Sequence, residues 1–265
     1  MNILYVGDVM GEPGLKVIEQ VLPQLKKKEH IDLIIAQAEN VTNGRGISVE
    51  DFKRLRAAGV DFCTGGNWTT NRKEIYSALN DPVQPIIRPA NYPEGTPGLG
   101  YKYIQALTGK ILVISLLGQI VGRDANRETN NPLQVVDEIL KQEKSTKKAG
   151  TIVNFHGDYS SEKFIIGYYL DGRVTAVVGD HWHIPTADAS VLPKGTAHVT
   201  DVGMCGSLDS SLGVKFTSVL PRWRDAKQTH NELETTGRMQ FNALLIEVDP
   251  NAGLATATKH IRKII

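Results

Sequence analysis

Six polar residues of this chain sit just past apolar runs, where strands are expected to end. Asp8 follows Ile3–Val6, Glu39 follows Leu33–Ala36, Asn67 follows Asp61–Thr64 and His156 follows Thr151–Phe155, while His181 and His183 follow Val174–Val178. In an open α/β sheet, ligands bind beyond the carboxyl ends of the strands, so this spacing aims all six at one edge. Two carboxylates, an amide oxygen and three imidazoles form a complete donor set for a pair of borderline divalent metals. Two such ions over two carboxylates leave roughly two positive charges, room for a bridging hydroxide and an anionic phosphate ester.

Taken singly, each residue has an ordinary explanation. Asp8 fits a helix cap, Glu39-Asn40 and Asn67 fit turns, and His156 fits a hydrogen-bonded structural histidine. His181-x-His183 is more specific, because residues i and i+2 of an extended segment share a face; that predicts two imidazoles side by side with Trp182 opposite. The joint occurrence at successive strand ends carries the argument.

The elements that must position them read as a layered α/β fold. Near-continuous apolar runs predict strands buried on both faces: the five above and Ile111–Leu117. Helical periodicity marks Leu15–Lys28, Val49–Ala58 and Leu133–Gln142. Phe241–Val248 and Ala255–Ile261 read as an antiparallel pair closing the sheet, the last hundred residues are otherwise loop-rich, and Asn91–Leu99 reads as a surface loop. With no linker and no fixed-period repeat, residues 1–265 are expected to form one domain of two packed halves.

Composition narrows the setting. In 265 residues, 30 Lys+Arg balance 29 Asp+Glu for a net charge of +1, with 41% hydrophobic and 22% charged residues, which excludes disordered and low-complexity classes. There is no basic block to mark a dedicated nucleic-acid or membrane surface. Cys63 and Cys205 lack any Cys-x-x-Cys pattern, which argues against a cysteine zinc site or disulfide scaffold. No run reaches a membrane span and the first residues lack a signal-peptide pattern, so a cytoplasmic location is expected.

At these residues the chain resembles the calcineurin-like metallophosphoesterase superfamily, and more closely its YmdB-like branch of bacterial cyclic-nucleotide phosphodiesterases. The resemblance runs through Gly7-Asp8-Val9-Met10-Gly11, Ala38-Glu39-Asn40, Gly66-Asn67, Asn154-Phe155-His156 with Ser161-Glu162-Lys163, Val178-Gly179-Asp180-His181-Trp182-His183 with Thr186-Ala187-Asp188, and Thr200-Asp201-Val202-Gly203-Met204. It implies a four-layer αββα sandwich with mixed sheets and a site for two metal ions, with iron, manganese and zinc equally compatible. By resemblance, Asp8 and His183 bind one ion, Asn67, His156 and His181 the other, and Glu39 bridges. Asn40 faces the phosphate; the basic loop Asn43-Gly44-Arg45-Gly46 offers Arg45 as a second phosphate contact. The resemblance further implies 2′,3′-cyclic nucleotides or related small phosphodiesters as substrates, attacked in line by a metal-bridging hydroxide, and allows a homo-oligomer.

One position departs from the pattern. The family reads Gly-Asn-His where this chain has Gly66-Asn67-Trp68. An indole N–H donates a hydrogen bond but does not surrender its proton at neutral pH, so Trp68 cannot act as the general acid and no other residue is assigned that role. A strained cyclic diester or aryl ester depends least on such an acid. The competing expectations are a metal-containing protein that binds a nucleotide with little turnover, and a single-metal amidohydrolase built from the same ligands. His30, His198, His230 and His260 carry no partner pattern.

Overall fold

A computed structural model describes residues 1–122 and 125–265. Two mixed sheets face each other with helices outside both, giving four αββα layers. The first sheet is built from β1 (Asn2–Val6), β2 (Asp8–Val9), β3 (Leu33–Gln37), β4 (Phe62–Thr64), β11 (Met204–Ser207), β12 (Met239–Asp249) and β13 (Leu254–Ile264), in the order β2-β11-β12-β1-β3-β4 with β13 on β12. The second contains β5 (Tyr101–Ala106), β6 (Gly109–Leu117), β7 (Gly150–His156), β8 (Ala176–Asp180), β9 (Ser190–Val191) and β10 (Ala197–Val199), in the order β5-β6-β7-β8-β10-β9. Strands β1, β3 and β4 run parallel, as do β6, β7, β8 and β10.

Period-two alternation decides which side chains fill which layer. Ile3, Tyr5, Leu33 and Ile35 meet Val113, Ile152, Ala176 and Val178 between the sheets. Their neighbours Leu4, Val6, Ile34 and Ala36 turn outward onto α1 (Gly11–Lys28) and α2 (Val49–Ala57), burying Leu15, Ile18, Leu22, Phe52 and Leu55. On the far side, Leu112, Ile114 and Val153 pack on α4 (Pro132–Gln142) and α5 (Ser160–Tyr169) through Val136, Ile139 and Ile166. Caps fix the helix starts: the Ser48 hydroxyl accepts Asp51 N–H and the Asn131 side chain accepts Leu133 N–H.

The expected strands and helices are present, most with ends shifted by one or two residues. Three expectations need correction. The C-terminal pair is antiparallel as read, but β12 lies inside the sheet, antiparallel to both β1 and β11, rather than closing its edge. The segment Asn91–Leu99 is not wholly at the surface: Asn91 and Tyr92 are buried, and the Asn91 amide bridges the Leu117 and Asn130 carbonyls. The last hundred residues also contain α6 (Phe216–Asp225); α3 (Tyr76–Asn80) is likewise additional. Among the described residues no helix is long and apolar enough to cross a membrane.

Candidate active site

Because the parallel strands of both sheets end on the same side, their carboxyl termini deliver the six residues to one place. Gly7 follows β1 and hands over to Asp8; Glu39 lies two residues past β3, Asn67 three past β4, and His156 is the last residue of β7. Gly7 has no room for a side chain, since a Cβ there would lie 2.0 Å from the Gly203 carbonyl oxygen. That close approach lets the Asp8 strand lie beside β11.

Glu39 is fully buried, and its Oε2 accepts the backbone N–H of Gly66 at 2.5 Å and of Trp68 at 2.9 Å. Its other oxygen, Oε1, has no hydrogen-bond donor among the described residues and lies 2.9 Å from His156 Nε2. Asn67 Oδ1 is 3.0 Å from the same nitrogen. Asp180 pairs with His156 in the strand register and takes its Nδ1 at 2.7 Å; with that N–H donated, Nε2 presents a lone pair. Three acceptors then converge on one point, which only a positive charge can fill, whether a proton or a metal ion. Burial opposes a charge on His156, but Glu39 and Asp180 outweigh it and hold its pKa well above the ordinary histidine value. Burial also opposes the Glu39 charge, yet His156 more than compensates and keeps its pKa below the usual value.

Asp8 is the second buried carboxylate. Its Oδ2 accepts the His181 backbone N–H at 3.3 Å, while Oδ1 has no hydrogen-bond donor among the described residues and lies 3.7 Å from His183 Nε2. Burial first, then the charge of Asp180, pushes the Asp8 carboxyl well above the usual carboxylate range. His183 Nδ1 is 3.1 Å from the Leu212 carbonyl, which can only accept, so Nε2 is the free lone pair; burial lowers its pKa to about 4 and keeps the ring neutral.

The two histidines do not share a face of an extended segment. The chain leaves β8 after Asp180, and both adopt left-handed backbone, with φ of +102° at His181 and +63° at His183. Such conformations cost roughly 1–3 kcal/mol each and persist only where the surroundings enforce them. Trp182 does the enforcing: its backbone N–H donates to Asp201 Oδ2 at 2.8 Å, its indole N–H donates to the Asp158 carbonyl at 3.0 Å, and the buried Lys163 ammonium, paired with Asp201, lies 4.1 Å from its ring centroid. The imidazoles consequently diverge. His181 packs edge-on against His156 with centroids 4.5 Å apart, its Nε2 being 3.2 Å from Asp158 Oδ2, whereas His183 reaches Asp8.

Glu39, His156 and His181 each offer a donor atom within 4.8 Å of the others. Together with Asn67 they form one donor group, and Asp8 with His183 forms a second beside it. The residues fit metal ions on two counts: both buried carboxylates present an orphaned oxygen, and every imidazole has a nitrogen facing a carboxylate. Asn40 and Arg45 line the same cleft; Asn40 is buried and donates to the Gly44 carbonyl, while the Arg45 guanidinium lies 3.6 Å from the Trp68 ring centroid. Of the four unassigned histidines, His230 also lines the cleft, whereas His198 and His260 bond backbone carbonyls elsewhere.

Asp180 carries a supporting role that motif reading did not assign. Besides orienting His156, it accepts from the Tyr5 hydroxyl at 3.0 Å and the Asn154 amide at 2.5 Å through Oδ2. Such outer partners fix a ligand's tautomer and direction. The available signal was polar residues inside apolar strands, Asn154 in Thr151–Phe155 above all.

Gly66 packs directly against a donor ring, because a Cβ there would lie 2.2 Å from His156 Cδ2. The ring is held by Asp180, and the Gly66 carbonyl is held by Tyr92 and Thr69 hydroxyls at 3.0 and 2.8 Å. Gly66→Ala is therefore expected to lose about 1–3 kcal/mol from overpacking, together with donor geometry. Denaturant unfolding checks the first, and metal content per chain the second; a wild-type value of both would contradict the packing argument.

Comparison with known proteins agrees with this geometry. Residues 4–261 match the family described as YmdB-like protein. The chain is 35% identical over 261 residues to the 2′,3′-cyclic-nucleotide 2′-phosphodiesterase of Bacillus subtilis (strain 168), covering 98% of this chain and 96% of that one. It superposes on the crystal structure of a novel phosphatase from Mycoplasma pneumoniae with a TM-score of 0.92 at 32% identity, covering 100% of this chain and 93% of that one. A hypothetical protein of known structure from Thermus thermophilus gives a TM-score of 0.90 at 34% identity, with 100% and 99% covered. Architecture, site and similarity along nearly the whole length agree: the chain belongs to the YmdB-like protein family, with a metallophosphoesterase fold.

Proposed function

We propose that this chain is a metal-dependent phosphodiesterase that acts on 2′,3′-cyclic nucleotides or related phosphodiesters through a two-metal site. The observation that carries the reading is the pair of buried, unpartnered carboxylate oxygens, Asp8 Oδ1 and Glu39 Oε1, each facing an imidazole nitrogen. Asp8 and His183 would hold one ion, Asn67, His156 and His181 the other, and Glu39 both. When bound, such ions supply Lewis acidity, in-line positioning and a lowered pKa for water. The activity named for the Bacillus subtilis relative supports the substrate class.

The protein's own residues do the rest. Asp180 fixes His156, and the Trp182 clamp fixes His181 and His183, so the donors need little reorganisation. Asn40 and Arg45 line the cleft and would contact the non-bridging oxygens of a bound phosphate. Trp68 has no proton to give, so turnover depends on a leaving group stable without general acid. The donors come from both sheets, and residues 1–265 therefore act as one unit.

The test is hydrolysis of bis-aryl phosphate and of 2′,3′-cyclic nucleotides, with and without chelator, alongside metal analysis. Activity is expected to vanish on chelation and return with manganese, iron or zinc. Asp8→Asn is expected to lower kcat/KM by more than the roughly 10–100-fold seen on loss of an outer-shell partner. Turnover insensitive to chelator and to Asp8→Asn would overturn the reading. The Arg45–Trp68 stack favours a second reading, nucleotide binding without turnover; metal-dependent hydrolysis excludes it.

A further inference from the structure

Four of the six donor residues, Glu39, Asn67, His181 and His183, line a cleft of about 1000 Å³. Sites for drug-sized ligands run from about 300 to 1,000 Å³, so a cyclic mononucleotide at the metal end leaves much of the cleft vacant. The rest of its lining includes the Asn43–Arg45 loop with Trp68, and α6 with the loop after it. Val219, Arg222 and Trp223 line the cleft at helical spacing, which puts them on one face of α6, and Ala226 just past its end lines it too.

The charge of this outer part is one-sided. Arg45, Arg222 and Lys227 line the cleft, and among the described residues its only lining carboxylate is Glu39, which belongs to the donor set. Arg222 bonds Thr229 and Asn231, both neutral, so these contacts leave its charge uncompensated. The carboxylate of Asp225 lies 3.8 Å from Lys227 but is already held bidentately by Arg224. A net charge of +1 for the chain conceals this local excess. Trp223 is 85% exposed, a large aromatic surface left in water, and the Trp68 ring, which lines the same cleft, carries the Arg45 guanidinium. A cationic cleft lined by two aromatic rings is the chemistry that holds single-stranded nucleic acid, with phosphates on the cations and bases on the rings.

We infer that the outer cleft is a binding site for a short single-stranded oligoribonucleotide whose terminal phosphodiester reaches the metal end; the inference rests on the phosphodiesterase reading for the identity of that end group. The Arg222 and Lys227 side takes the backbone phosphates, and Trp223 takes a base.

Fluorescence anisotropy of a labelled oligoribonucleotide of roughly five residues, in chelator, measures binding without catalysis. It is expected to bind at least about tenfold more tightly than a mononucleotide, because each added base stacks and each added phosphate is neutralised. Trp223→Ala is expected to weaken binding roughly 5- to 150-fold, the range for one stacked base. Lys227→Glu is expected to weaken it and to flatten the salt dependence by about 0.7 log units per log unit of salt, the share of one phosphate contact. Both side chains are largely exposed, and thermal melts confirm the fold. Affinity independent of length, unaffected by Trp223→Ala, or matched by inorganic polyphosphate would overturn the inference. Aryl diester hydrolysis by wild-type protein separates the two ideas: cleavage without length-dependent binding removes the groove and keeps the function, whereas length-dependent binding without cleavage does the reverse.

Discussion

Glu39→Gln is expected to leave the fold standing and remove most of the activity. The substituted amide can keep its oxygen on the Gly66 and Trp68 N–H groups, which Glu39 holds through Oε2. Its NH₂ would then replace Oε1, the unpartnered oxygen beside His156 Nε2 and close to Asn67 Oδ1. An anionic acceptor becomes a neutral donor at the point where three acceptors converge. The thermal midpoint is expected to fall but the fold to persist, because the two backbone hydrogen bonds to the side chain are conserved while the charge that offsets His156 is lost. Activity on an aryl diester is expected to fall at least about 10²–10³-fold, the scale of losing one preorganised electrostatic group, with bound metal reduced in parallel. A variant that melts normally, retains its metal and works within tenfold of wild type would show that Glu39 is a structural clamp for the Gly66–Trp68 turn and nothing more.

The part of this site legible in sequence is the part set by strand topology. Asp8, Glu39, Asn67 and His156 each stand at or just past the end of a parallel strand, and parallel strands necessarily end on one side. What was not legible depends on contacts between the sheets. Asp180 reads like any acidic residue ending a strand until the β7–β8 register sets it against His156. The two histidines of His181-x-His183 were expected to project together from an extended segment, but Asp201, Lys163 and Trp182 hold the backbone in a left-handed path that separates them. Asp201 and Lys163 lie 18 to 20 residues away in sequence from Trp182 or His181, beyond any local pattern. The α6 lining of the cleft is not legible for a related reason: α6 has Pro221 within it and leaves Phe216, Leu220 and Trp223 exposed, so its apolar residues do not follow a buried stripe.

Trp68→His is expected to raise activity, selectively on substrates with poor leaving groups. The position is reached through the backbone: Trp68 N–H donates to Glu39, a contact that any residue there except proline retains. The side chain is half-buried beneath Arg45, and losing that stack forfeits only about 0.5–1 kcal/mol at an exposed site. In return, an imidazolium near the phosphate can protonate a departing alkoxide, which an indole cannot do. General acid catalysis is typically worth roughly 10²–10⁴-fold, and an alkyl ester needs it most because its alkoxide is a strong base. An aryl leaving group departs without help, so its rate should change little. The measurement is the ratio of kcat/KM for alkyl and aryl diesters in Trp68→His, with Trp68→Phe as the control for loss of the indole. A second readout is the pH profile: the alkyl reaction of the histidine variant should acquire a basic limb, falling as pH rises through a value near ~6.5, where free histidine loses its proton. An equal gain on both esters, or a gain shared by Trp68→Phe, would mean that Trp68 acts by occupying space in the cleft. A selective gain with the new limb would mean that this chain keeps the machinery for attack on phosphorus and has given up proton delivery to the leaving group.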